Sequence, residues 1–265
     1  LRILELGVNL DKNLKAEIHG LIGSAANFYQ FSHHGNPPFD AFLVHHLEKG
    51  LEGDLAPEIR SALLYRITFA YAERMHKLEE ALKWGEEAVE TAKNNKLDET
   101  AYNYHLAWSY IVRADVYAHA EKFEEFVKDS EKAFEILSTG ISYLEKNGSR
   151  DFNFWLNDYR LSLFNMSIHQ IYTGDELNEY DYSRSWYTKV VEIMKSVHEL
   201  IHFDTFHWVD YFRNKLELKE ALNASKRGIE DAIKFKHEQI YVYSFCAADF
   251  NYRMGDFQEA KEYFE

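Results

Sequence analysis

A single cysteine, Cys246, denies the chain an internal disulfide framework and any cysteine-based zinc site. It sits in an apolar run of helical spacing, where a thiol packs as a small hydrophobe and is not poised as a nucleophile. Three prolines and twelve glycines in 265 residues are too few for a loop-rich all-β protein and suit long helices. No apolar stretch approaches the ~18 residues needed to span a membrane. Positive charge is also scarce: 30 Lys and Arg face 44 Asp and Glu, a net charge of −14 with histidine neutral. Such a surface disfavours nucleic acid and anionic membrane, and favours basic partners. The chain has no Gly-rich phosphate loop, no G-x-S-x-G and no basic stripe. It opens on Leu1 in place of Met and reaches Glu265 inside a helical pattern, as a piece of a longer chain would. The cytoplasm is the expected compartment, and no cofactor is expected.

What is present is helical and repetitive. Hydrophobic residues make up 46%, enough for a packed core, and aromatics 16%, the large side chains that fill wedges between helices. Apolar residues recur at three and four, as in Leu64, Ile67, Tyr71 and in Trp186, Val190, Ile193, Val197, Ile201. No run alternates with period two, so no sheet is expected. Breaks fall at His33–Pro38, Gly53–Pro57, Asn94–Asp98, Lys146–Ser149 and Thr173–Asp175. They divide the chain into helix pairs at about 13–53, 57–94, 98–147, 151–202, 204–236 and 238–265, the last incomplete, with an inserted loop at Asp175–Asp181.

One short pattern is written several times. It runs Gly255-Asp-Phe-Gln-Glu-Ala260 near the end, Leu218-Lys-Glu-Ala221 and Phe123-Glu-Glu-Phe126 earlier, and Leu78-Glu-Glu-Ala81 earlier still. Each follows an aromatic-rich helix and opens a second one. Repetition of one helix-turn-helix unit marks a helical solenoid. Ala248, Gly255, Asp256, Phe257, Ala260 and Phe264 resemble the tetratricopeptide repeat, as do Ala114, Tyr117, Phe123 and Ala133, with Phe126 in place of a small residue. Ile67, Tyr71, Ala81 and Ala88 follow the pattern with one residue inserted. The spacing from Ala81 to Phe126 is 45 and from Ala221 to Ala260 is 39, longer than the family's 34. Such lengthened repeats resemble those of bacterial regulators that sense peptides or partner proteins. The resemblance implies an all-α, right-handed superhelix of antiparallel helix pairs, a single solenoid of about five and a half units that binds a ligand on its concave side.

Three first helices carry Asp at one phase, 11 residues before the packing position: Asp115, Asp210 and Asp249. Four and seven residues before them stand Ile111 and Trp108, Phe206 and Phe203, and Phe245 and Val242. Residues at such spacing share a helix face, so each helix would offer two apolar groups and one carboxylate. The resulting groove suits an extended peptide or helix with basic and apolar side chains. It does not suit the acidic chaperone tails that the family holds with Lys, Asn and Arg. The competing interpretation is that these acids are simply solvated.

The one motif with catalytic chemistry is His198-Glu-Leu-Ile-His202. On a helix its histidines could chelate zinc, with Glu199 activating a metal-bound water, as in the zincin metallopeptidases it resembles. No third ligand stands at a usable spacing: Thr205 and Trp208 occupy the expected Gly and His places. The apolar stripe from Val190 to Ile201 explains this helix without metal, so coincidence is preferred. His33, His34, His45 and His46 are expected on the surface. A peptide- or protein-binding module, the sensing part of a regulator, is the expected function. A passive scaffold and a zinc peptidase are the alternatives, and a homodimer stays open.

Overall fold

The computed structural model describes residues 10–28, 37–94, 99–147, 152–197, 217–235 and 240–264. The molecule is all-α, with no strand among the described residues. Its helices are α1 (Lys12–Phe28), α2 (Pro37–Leu51), α3 (Pro57–Phe69) running into a π-helical turn (Ala70–Arg74), α4 (Leu78–Asn94), α5 (Glu99–His119), α6 (Phe123–Asn147), α7 (Phe152–Glu176), α8 (Tyr180–Val197), α9 (Leu218–Phe235), α10 (Ile240–Met254) and α11 (Phe257–Phe264). Two compact units result, one of residues 1–166 with 176–179, the other of 167–175 with 180–265. Among the described residues no helix is long and apolar enough to cross a membrane.

One turn is used repeatedly, and it explains the repeated pattern. After α10, Gly255 takes the left-handed conformation (φ 86°); its N–H donates to the Tyr252 carbonyl and the Asp256 N–H to the Asn251 carbonyl. This pair of bonds is a Schellman cap. Asp256 then caps the next helix, accepting the Glu259 N–H at 3.2 Å. After α5 the same two bonds are made by Glu121 (φ 57°) and Lys122, to Ala118 and Tyr117. Five residues beyond each left-handed residue a side chain is driven into the core: Phe126 after Glu121, Ala260 after Gly255.

The turn after α3 obeys the rule with one residue too many. His76 is left-handed (φ 50°), Ala81 is fully buried five residues on, but the Lys77 N–H reaches back six residues to Tyr71. The π-helical turn Ala70–Arg74 absorbs the extra residue. The same geometry corrects the expected inserted loop at Asp175–Asp181. Helix α7 continues to Glu176, Asn178 is left-handed (φ 63°), and Ser183 is buried five residues later. This is the ordinary turn between paired helices, with Asn in place of Gly.

The helices alternate in character. In α4, α6, α8, α9 and α11 apolar residues gather on one side; α3, α5, α7 and α10 show little such bias. A one-sided helix has a solvent face, whereas an unbiased one is covered on more than one side. In the first unit Leu43, Leu47, Leu63, Leu64 and Ile67 fill the core between α2 and α3. Asp129 of α6, 3% exposed, takes a bidentate pair from Arg113 of α5 at 2.6 and 2.8 Å. The Arg113 guanidinium lies near the Tyr110 and Tyr117 rings, at 5.5 and 5.8 Å. Gly140 of α6 leaves room for the fully buried Tyr159 ring of α7. In the second unit Ser183 of α8 donates to the Ile171 carbonyl at 3.1 Å, and Gly228 of α9 makes room for the Tyr243 ring of α10.

Candidate functional site

Within the first unit, the unbiased helices α3 and α5 and the part of α7 up to Met166 bring their aromatic residues together. Tyr65 of α3 stacks on two residues of α5, His105 (ring centroids 6.1 Å) and Trp108 (5.9 Å). Tyr104 meets both of these edge-on, at 5.9 and 6.4 Å, and contacts Tyr159 of α7 at 5.4 Å. Tyr65, Tyr104 and Trp108 are each half-buried, and the Trp108 Nε1 is buried. Offset and edge contacts of this kind hold rings rigidly at small entropic cost.

The polar groups of this tier are held in defined protonation states. His105 is buried and its pKa is pushed down to about 4 by burial first and then by Arg66, so the ring is neutral at pH 7. Burial raises the hydroxyls of Tyr65 and Tyr104, keeping both as neutral donors. Arg66 donates to the Ser24 hydroxyl at 2.9 Å and lies 5.6 Å from the Tyr65 centroid, marking one border. Asp158, half-buried beside Tyr159, is raised by burial alone. No cation offsets its desolvation among the described residues. A carboxylate so placed gains from an arriving cation.

The residues expected from sequence divide sharply. Trp108 belongs to the aromatic tier. Ile111 and Asp115 follow it on α5 but are buried, 8% and 9% exposed. On α10, in the second unit, Val242 and Phe245 are exposed, while Asp249 pairs with Arg253 of its own helix at 2.8 Å. Phe203, Phe206 and Asp210 lie outside the described residues, as do His198, Glu199 and His202. Among the described residues no group of three or more His, Cys, Asp or Glu side chains could hold a metal ion. Tyr65, Tyr104, His105 and Asp158 were not singled out by sequence, because their convergence depends on neighbouring helices and not on spacing within one.

The histidines also depart from expectation. His46 is buried, its Nδ1 is 2.8 Å from the Nδ1 of His19, and its ring packs on Phe42 at 4.3 Å. His45 stays exposed, and His33 and His34 lie outside the described residues. A helix turns 100° per residue, so adjacent histidines must face different ways. Cys246 is buried, the thiol packed as expected.

No protein-family model matches the sequence, and no curated protein matches it. Solved structures share its fold. Aspartyl phosphate phosphatase F from Bacillus subtilis is 10% identical with a TM-score of 0.58, over 95% of this chain and 70% of that one. The apo form of RapI is 14% identical at 0.50, over 98% and 84%. These are likenesses of fold: both are helical-repeat proteins of the tetratricopeptide type.

Proposed function

We propose that this chain is a protein- or peptide-binding module of helical repeats that serves as the sensing part of a regulator. The observation that carries this reading is the aromatic tier of the first unit, three half-buried rings near the carboxylate of Asp158, which no cation offsets among the described residues. Half-buried rings pack against apolar side chains, and a desolvated acid selects a basic one. The ligand is therefore a peptide or protein segment with alternating basic and apolar side chains. In the second unit the proposed contacts are Val242, Phe245 and Asp249, with Phe203, Phe206 and Asp210. Docking changes how successive helix pairs stack, and that change is what an attached domain or partner would read.

Structural neighbours support a regulatory role through their names only, one being called an aspartyl phosphate phosphatase. Recognition, not turnover, is the role assigned here. The zinc-peptidase alternative rests on His198, Glu199 and His202 as a motif alone.

The test is a binding screen against an arrayed peptide library of mixed charge, followed by calorimetry on the hits. Hits should be basic and apolar. Truncating a buried aromatic anchor costs about 1–3 kcal/mol, so Trp108→Ala should weaken a hit by roughly 10- to 100-fold. Asp158→Asn should weaken basic peptides more than neutral ones. Hits that are acidic, or that bind both variants as well as the parent, would remove this reading.

A further inference from the structure

The first helix pair holds a second feature, of opposite charge to the rest of the protein. Helices α1 and α2 approach so closely that a Cβ on Gly50 would lie 2.9 Å from the Cα of Gly20, and one on Gly53 would strike Ala16. Small residues at the contact leave a hollow above it. Ala16 forms its floor, and Lys12, Lys15 and His19 of α1 with Lys49 and Glu52 at the end of α2 form its rim. The hollow measures about 150 Å³. A cavity of that order holds a guest of about benzene size, ample for a phosphate or carboxylate group.

The charge balance is unusual for this chain. Three ammonium groups meet one carboxylate, in a protein whose net charge is −14. Glu52 is already engaged by Lys49 at 2.7 Å. Lys12 adds to the field that lowers Glu52, and Lys15 stands one turn further along the same helix. Both occupy the first turn of α1, where the helix dipole disfavours cations by about 0.3–1 kcal/mol each. Asp11 caps this end, accepting the Asn13 N–H at 3.1 Å, so the two lysines add cations to an otherwise ordinary helix start. His19 adds a ring nitrogen: its Nδ1 is taken up by His46, and the Nε2 is not used in that contact.

We propose that the hollow between α1 and α2 is a binding site for a small phosphate- or carboxylate-bearing anion, held by Lys12, Lys15 and Lys49 with His19 beside them. Charge-assisted bonds from flexible ammonium groups suit a compact oxyanion. The site is on different helices from the aromatic tier and does not depend on it.

Inorganic phosphate is the first probe and citrate the second, titrated into the whole chain at constant ionic strength and read by calorimetry and by the unfolding midpoint. Saturable binding of at least one anion is expected. Lys12→Gln with Lys15→Gln should weaken it at least tenfold. A control pair on exposed second-helix positions, Lys83→Gln with Lys128→Gln, removes the same charge and should leave it unchanged. Phosphate binding without citrate, or the reverse, identifies which anion chemistry the site prefers and upholds the proposal. No saturable binding of either anion, or equal loss in both double variants, would overturn it in favour of general charge screening. Because all four lysines are at least partly exposed, both variants should fold, and circular dichroism checks that they do.

Discussion

Acid should destabilise the first unit well before its carboxylates titrate, through His46 and His105. His46 is 4% exposed, and burial first, then His19 and His45, push its pKa down to about 4. His105 is 9% exposed and is also lowered to about 4, by burial and then Arg66, with Glu58 opposing. In the unfolded chain each titrates near 6.5. Between about pH 6.5 and 4 the unfolded state therefore binds more protons, so stability falls as pH falls and is fully present above 6.5. From pH 8 to 5 each histidine should cost about 2 kcal/mol, and the pair about 4, a large share of a typical 5–15 kcal/mol. Urea unfolding followed by tryptophan fluorescence at pH 8, 7, 6 and 5 measures the slope. His46→Gln and His105→Gln should each remove about 2 kcal/mol of it, whatever they do to stability at pH 8, with a remainder from His19, which burial also lowers. A double variant that keeps the parent's pH dependence would refute the reasoning.

Three further perturbations follow from the packing. A methyl on Gly140 would fall on the buried Tyr159 ring, so Gly140→Ala should cost about 2–3 kcal/mol despite its better helix propensity. By contrast Gly85→Ala meets only Arg113 Cγ and Thr68 Cγ2 at 3.2 Å and should change stability by under about 1 kcal/mol; equal urea midpoints for the two variants would contradict this. Removing Asp129 strands the Arg113 guanidinium, and Asp129→Ala should cost about 3–5 kcal/mol by the same assay, with a loss under about 1 showing that the pair is solvated. Copying the Gly255-Asp256 turn onto Glu121 and Lys122 relieves a left-handed non-glycine and supplies a cap, and should raise stability by about 1–2 kcal/mol in thermal unfolding; a lower melting temperature would disprove the turn equivalence.

The turn was the most legible part of the sequence because its chemistry is local. Gly255 and Asp256 state both bonds of the cap in two residues, and Ala81, Phe126 and Ala260 mark the buried position that follows. Even the extra residue between Tyr71 and Ala81 was visible as a spacing defect, although nothing in the sequence says that a π-helical turn takes it up. The turn after α7 was misread as an insertion. Glu121 and His76 show why: the left-handed site tolerates residues with no turn signature when the helices on either side are long enough to impose it. At Asn178 the flanking Gly174 and Ser183 pack together, and that contact is invisible along the chain.

The aromatic tier resisted reading for a related reason. Helices α3, α5 and α7 are covered on more than one side, so their apolar residues give no single stripe from which to infer a groove. Spacing from the packing position picked out Trp108, which packs in the aromatic tier. It could not give depth, and Asp115, about one turn beyond a buried Ile111, turned out to be covered as well. Asp249, at the same phase on α10, is matched by Arg253 four residues along. The carboxyl raised by burial near Tyr65 and Tyr104 is Asp158 of α7, which stands outside the phase that the spacing picked out. Repetition of a backbone unit thus fixes where helices lie but leaves each helix free to present its own residues. For that reason the fold of such a chain can be read from one sequence, while its specificity lies in the residues that break the repeat.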